Sequence, residues 1–62
     1  MIDLYDCLSH KVKLVDSDEN EVIAIADLYE SEYDSGYDEP IIGLTNGRYY
    51  RQSEIKSIEI VE

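Results

Sequence analysis

Apolar and polar residues alternate over residues 11–15, which sets Val12 and Leu14 on one face and Lys11 and Lys13 on the other. That period of two predicts a half-buried strand. Asp16, Ser17, Asp18, Glu19 and Asn20 follow, side chains that bond their own backbone and favour a turn. Val22-Ile23-Ala24-Ile25-Ala26 is apolar on both faces, as in a strand buried on both sides or one that bends inside a small barrel. Ala24 and Ala26 share a face and are small enough to let a barrel close around them. This second strand runs on to Tyr29, and the hairpin it forms with the first is the element the rest of the chain covers and closes.

The remaining pattern is briefer. Pro40 suits a first strand position, and residues 41–44 and 49–52 flank Thr45-Asn46-Gly47-Arg48. Asn-Gly between apolar runs predicts a hairpin with a type I′ turn. Residues 53–55 form a tight turn, and residues 56–61 alternate again, with Ile58 and Ile60 inward and Ser57 and Glu59 outward. Upstream, Leu4, Cys7 and Leu8 have helical spacing, so residues 2–8 predict two helical turns with Asp3 and Asp6 near their start. A helix this short must lie on something apolar. The expected core is Val12, Leu14, Val22, Ile25, Leu28, Ile42, Leu44, Ile58 and Ile60, with Leu4 and Leu8 over one opening. The fold class is mainly β: one domain, residues 1–62, with a short N-terminal helix and five short strands in a closed or nearly closed barrel, an arrangement that also removes sheet edges.

Composition changes the picture in one respect. Fifteen Asp and Glu face five Lys and Arg, a net charge of −10 over 62 residues. Such a chain repels polyphosphate and lacks the basic patch of nucleic-acid binders. Six Tyr and the periodic aliphatic runs argue against disorder. The charge also predicts a fold whose melting temperature rises with salt, and with pH lowered toward about 5 as carboxyls of raised pKa are partly neutralised. One Cys allows no intrachain disulfide and fits a reducing compartment. The first ten residues carry acids in place of a basic leader and hold no long apolar run, so the expected location is the cytoplasm, away from membrane.

Candidate chemistry is sparse. Cys7 and His10 have a ligand-like spacing but no second pair, so Cys7 is expected to fill space. Residues 16–27 imitate the start of a calcium loop, yet Glu21 replaces the Gly such loops need and Asp27 is too short for a bidentate Glu. There is no phosphate loop, nucleophile elbow or other catalytic constellation. No enzyme, metal or cofactor is implied. The acidic, Tyr-bearing connection after Tyr29, residues 30–39, is long for a compact domain, and long loops are disproportionately functional.

These residues resemble the Sm-like (Lsm-type) fold over nearly the whole chain. EVIAIADLYE is similar to the first Sm motif leading into its loop 3, and YRQSEIKSI to the second. The resemblance implies a strongly bent five-stranded Sm-like barrel; generic SH3-like barrels are the alternative. Ala24 stands where the family has a bending Gly. In the family's RNA pocket, an Asp, an Asn, a stacking aromatic and an Arg bind the base; matched positions here are Glu30, Asp34, Glu32 (with Tyr33 adjacent) and Arg51. Ionised Asp only accepts hydrogen bonds and repels phosphate, and Gln52 replaces a Gly beside the pocket, so uridine binding is not expected to carry over.

Two functions from different classes follow. The first is a non-enzymatic protein-interaction module that presents residues 29–39 to a basic partner or to another copy, with Tyr29, Glu30, Glu32, Tyr33, Asp34, Tyr37 and Asp38 as the contact set. Tyrosines give contact area at low entropic cost, and carboxylates steer cations. The second is single-stranded RNA binding through Tyr33, Asp34 and Arg51, for which five basic residues are few. The loop is expected to have few anchors, with Tyr33 and Tyr37 more exposed than Tyr49 or Tyr50.

Overall fold

The computed structural model describes residues 3–62. Five antiparallel strands form one sheet, β1 (Lys11–Asp16), β2 (Glu21–Glu30), β3 (Ile41–Leu44), β4 (Tyr49–Arg51) and β5 (Ile55–Ile60), in the order β4-β3-β2-β1-β5. The long second strand is shared. Its first half pairs with β1 (Leu14 opposite Val22, Val12 opposite Ala24) and its second half with β3 (Ala26 opposite Leu44, Glu30 opposite Ile41).

At the N-terminus the expected helix is a single 3-10 turn, Leu4–Cys7. Ile2, where that helix was to begin, lies outside the described residues. Nucleating a helix fixes several residues for one hydrogen bond, and here one turn suffices to seat Leu4 and Cys7, both fully buried. Asp3 caps the turn by accepting the Tyr5 N–H at 3.0 Å.

β4 and β5 lie at opposite ends of the sheet, yet only a three-residue 3-10 turn, Gln52–Glu54, joins them. Four strand spacings of about 4.8 Å would part their edges by about 19 Å in a flat sheet. Four extended chain steps reach only about 14 Å. The sheet therefore curls. No ladder joins β4 to β5, so among the described residues the sheet is open, with those two strands as its edges.

Inside the curl lie Leu4, Cys7, Val12, Leu14, Ala26, Ile42, Leu44, Tyr50, Ile55 and Ile58. Val12, Leu14, Ile42, Leu44 and Ile58 are buried as the pattern predicts, and Val22 and Leu8 are half-buried. Leu28 is half-buried outside the core cluster, and Ile25 and Ile60 are exposed. Val22, Ala24 and Ala26 take the inner face of β2, which leaves Ile23 and Ile25 outward at 57% and 45% exposure. A bulge at Asp27 then shifts the register between Ala26 and Leu28. An extra residue reverses which side chains face inward. Tyr29, opposite Ile42, packs on the core in place of Leu28. A second bulge, between the Val15–Ser57 and Asp16–Ile55 pairs, puts Ile55 and Ile58 inward three residues apart. Ile60 is the last residue of an edge strand and overruns the core, 42% exposed.

The turns also differ from expectation. In the β3–β4 hairpin only Gly47 has positive φ, +86°, whereas type I′ requires it at both central residues. Gly47 N–H bonds Leu44 O, Leu44 N–H bonds Arg48 O, and Asn46 Oδ1 accepts the Arg48 N–H. This is the three-residue loop with a left-handed Gly and a bulge. Between β1 and β2, Asp16 organises the acidic turn, its carboxylate accepting the Asp18 and Asn20 N–H groups, each at 2.9 Å.

Candidate functional site

The connection after β2 is better anchored than its composition suggests. Asp34 and Ser35 N–H groups both bond Ser31 O, and the Ser31 hydroxyl bonds Asp34 Oδ2 at 3.2 Å. Gly36 and Asp38 take left-handed backbone, at φ +80° and +61°, which Gly and Asp tolerate better than other residues. The Ser35 hydroxyl donates to Glu39 O at 2.7 Å and accepts the Tyr37 N–H at 3.2 Å. Glu39 then reaches across to the turn between β4 and β5, where its carboxylate accepts the Ser53 N–H at 2.6 Å and the Ser53 hydroxyl at 3.1 Å. Gln52 N–H bonds Pro40 O. The expectation of few anchors is therefore corrected: serines close the loop on itself, and Glu39 ties it to the sheet.

Two clefts flank this anchored segment. The larger, about 530 Å³, is lined by Asp3, Tyr29, Glu32, Asp38, Glu39, Pro40 and Gln52. Tyr29 is held by an edge-to-face contact with Tyr5, ring centroids 5.3 Å apart. Burial, then the nearby Asp3 and Glu32 carboxylates, push its phenol above its ordinary pKa, so it stays a neutral hydroxyl. Four carboxylates around a tyrosine make a cleft that attracts cations and repels anions.

The smaller cleft, about 340 Å³, is lined by Tyr37, Ile41, Tyr49, Tyr50, Arg51 and Glu54. The Arg51 guanidinium carbon sits 5.1 Å from the centre of the Tyr37 ring. Glu54 Oε1 takes both the Arg51 N–H at 3.0 Å and its Nε–H at 3.3 Å. These bonds, the backbone one foremost, hold the Glu54 carboxyl below its ordinary pKa.

Of the sequence-selected contact residues, Tyr29, Glu32 and Asp38 share the larger cleft, Tyr37 turns to the smaller one, and Glu30 ends β2. Tyr33 lines neither cleft and is 89% exposed. Asp34 folds back on Ser31. The RNA set of Tyr33, Asp34 and Arg51 is thus not gathered: only Arg51 lines a cleft, and its aromatic neighbours are Tyr37 and Tyr49. The expected ranking of exposed tyrosines holds for Tyr33 against both Tyr49 and Tyr50, while Tyr37, 56% exposed, exceeds Tyr50 but not Tyr49 at 64%. Sequence reasoning missed Asp3 and Glu39 in the larger cleft. Asp3 carried no signal beyond its place as a helix cap, and Glu39 was submerged in an acidic run.

Cys7 is fully buried, and burial, then Asp6 and Asp3, push its thiol pKa up. His10 Nδ1 meets Glu62 Oε1 at 2.6 Å. Among the described residues no three His, Cys, Asp or Glu side chains are placed to hold a metal ion, and no helix is long and apolar enough to cross a membrane. Comparison of the chain with protein-family models, with curated proteins and with solved structures gives no match.

Proposed function

We propose that this chain is a small non-enzymatic interaction module that receives a basic segment of a protein partner in the cleft between Tyr29 and residues 32–39. The observation that carries the reading is the convergence of Tyr29, Glu32 and Asp38 with Asp3 and Glu39 around one opening. Lys and Arg side chains are the groups such a cleft favours, through carboxylate pairing and the tyrosine face. Tyr33, at the exposed tip, adds contact area outside the cleft. The proposal places the protein in the cytoplasm and reads the curled sheet as a strongly bent SH3-like or Sm-like barrel, supported by the strand order and the three-residue link between its edges.

The second reading, single-stranded RNA binding, draws on Arg51 beside Tyr37 and Tyr49. A net charge of −10 opposes it. Fluorescence anisotropy with a labelled Lys/Arg-rich decapeptide and with labelled oligo-uridine, at about 50 and 300 mM salt, separates the two. The interaction module binds the peptide, more weakly at high salt, and ignores the RNA. Salt-sensitive micromolar binding of oligo-uridine with none of the peptide would reverse the order.

A further inference from the structure

A second surface lies away from the loop. On the outer face of β1, β2 and β5, Lys11 stands opposite Ile25, and Lys13 lies between Ile23 and Glu59. Glu21 begins β2 beside them and pairs with Lys13 at 3.4 Å. Antiparallel sheets ordinarily show polar side chains on a solvated face. Here two large aliphatic side chains stand side by side, 57% and 45% exposed, with no element packed over them among the described residues. The charges matter as much. Lys11 and Lys13 balance Glu21 and Glu59, and Asp27 lies past them at the bulge, so this face is near neutral on a chain of net charge −10.

We infer that this face binds a second copy of the chain, face to face across a two-fold axis. A copy is the occupant that the charge pattern fits. Two bodies of charge −10 repel one another on most approaches, but here apolar strips meet, and lysines of each copy come within reach of the other's glutamates. Isologous contacts require such a self-complementary patch. The patch is small beside the roughly 800 Å² per partner of a stable complex, so the dimer is weak and exchanges quickly. Its salt response is distinctive. Salt screens the repulsion between the bodies while leaving the apolar contact intact, so dimerisation strengthens with salt. Docking of a basic partner in the loop cleft weakens with salt, so the two claims succeed or fail separately.

The test is sedimentation equilibrium with parallel amide-shift mapping, from about 0.05 to 2 mM protein at about 50 and 500 mM salt. Association should appear at high concentration, grow at least about three-fold with salt, and shift amides of β1 and β2. Ile23→Ser should weaken it about ten-fold or more without lowering the melting temperature, since that side chain is exposed. Lys13→Glu and Glu59→Lys should each weaken self-association and, when mixed, recover it as a heterodimer. A monomer at 2 mM in high salt, an Ile23→Ser variant that associates as well as the parent, or shifts confined to β4 or to residues 30–39 would each overturn the proposal.

Discussion

Asp16 shows how much one side chain can organise. Its carboxyl lies below the ordinary range, chiefly because the Asn20 N–H donates to it, with the Asn20 amide and the Asp18 N–H adding to the effect. A group whose pKa is lower folded than unfolded contributes stability above the unfolded value and loses it as pH falls through the folded one. Asp16→Ala should therefore lower the melting temperature at pH 7, with the difference from the parent closing below about pH 4. A melting temperature unchanged at pH 7 would show that the turn holds without its carboxylate. Tyr50 is the converse case. Its hydroxyl is buried with no hydrogen-bond partner among the described residues, and such a group costs about 1–3 kcal/mol. Tyr50→Phe should leave stability unchanged or raise it by up to about 1 kcal/mol, read by urea titration. A loss above that would reveal a partner, such as a buried water. Tyr33→Ser, at the exposed tip, should leave the melting temperature alone.

At the scale of elements, much was legible. The alternation of residues 11–15 marked β1, the polar run at Asp16 marked its turn, and Asn46-Gly47 marked the second hairpin. The bulges were not legible, because one extra residue leaves the local pattern intact while exchanging the two faces. That is why Leu28 yields its inward place to Tyr29 and why Ile55 joins Ile58 in the core. The turn type was missed because Asn-Gly serves both geometries, and only backbone dihedrals distinguish them. β5 supplies the test. Ile58→Ala should cost about 2–5 kcal/mol, whereas Ile60→Ala, at the exposed end of the edge strand, should cost less than about 1 kcal/mol. Equal losses in chemical denaturation would mean that Ile60 belongs to the core and does not overrun it. Gly43 makes a related point on the outer face. An added Cβ would sit 2.8 Å from the Tyr49 ring and 3.1 Å from Leu28 Cβ, so Gly43→Ala should cost about 1–3 kcal/mol.

For the whole molecule, charge dominates. The carboxyls whose pKa moves, Asp16, Glu54 and Glu62, all move down, each first through a hydrogen bond it accepts. Carboxyls of raised pKa, which mild acid would neutralise to advantage, are not among them. Stability should thus hold from pH 7 to about 5 and fall below about 4, while salt raises it by screening unpaired acids. The loop was legible as an acidic stretch with tyrosines. Its cleft was not, because Asp3 comes from the N-terminal turn and Glu39 from the far end of the loop, and only the folded chain sets both beside Tyr29. The most direct test of that cleft compares two variants of equal charge, Glu32→Gln/Asp38→Asn and Asp18→Asn/Glu19→Gln, in binding the basic decapeptide at about 150 mM salt. If the cleft is the site, the first pair should weaken binding about ten-fold, roughly 1.4 kcal/mol, and the second much less. Equal weakening by both pairs would mean that net charge alone attracts the peptide, and would contradict a site at Tyr29.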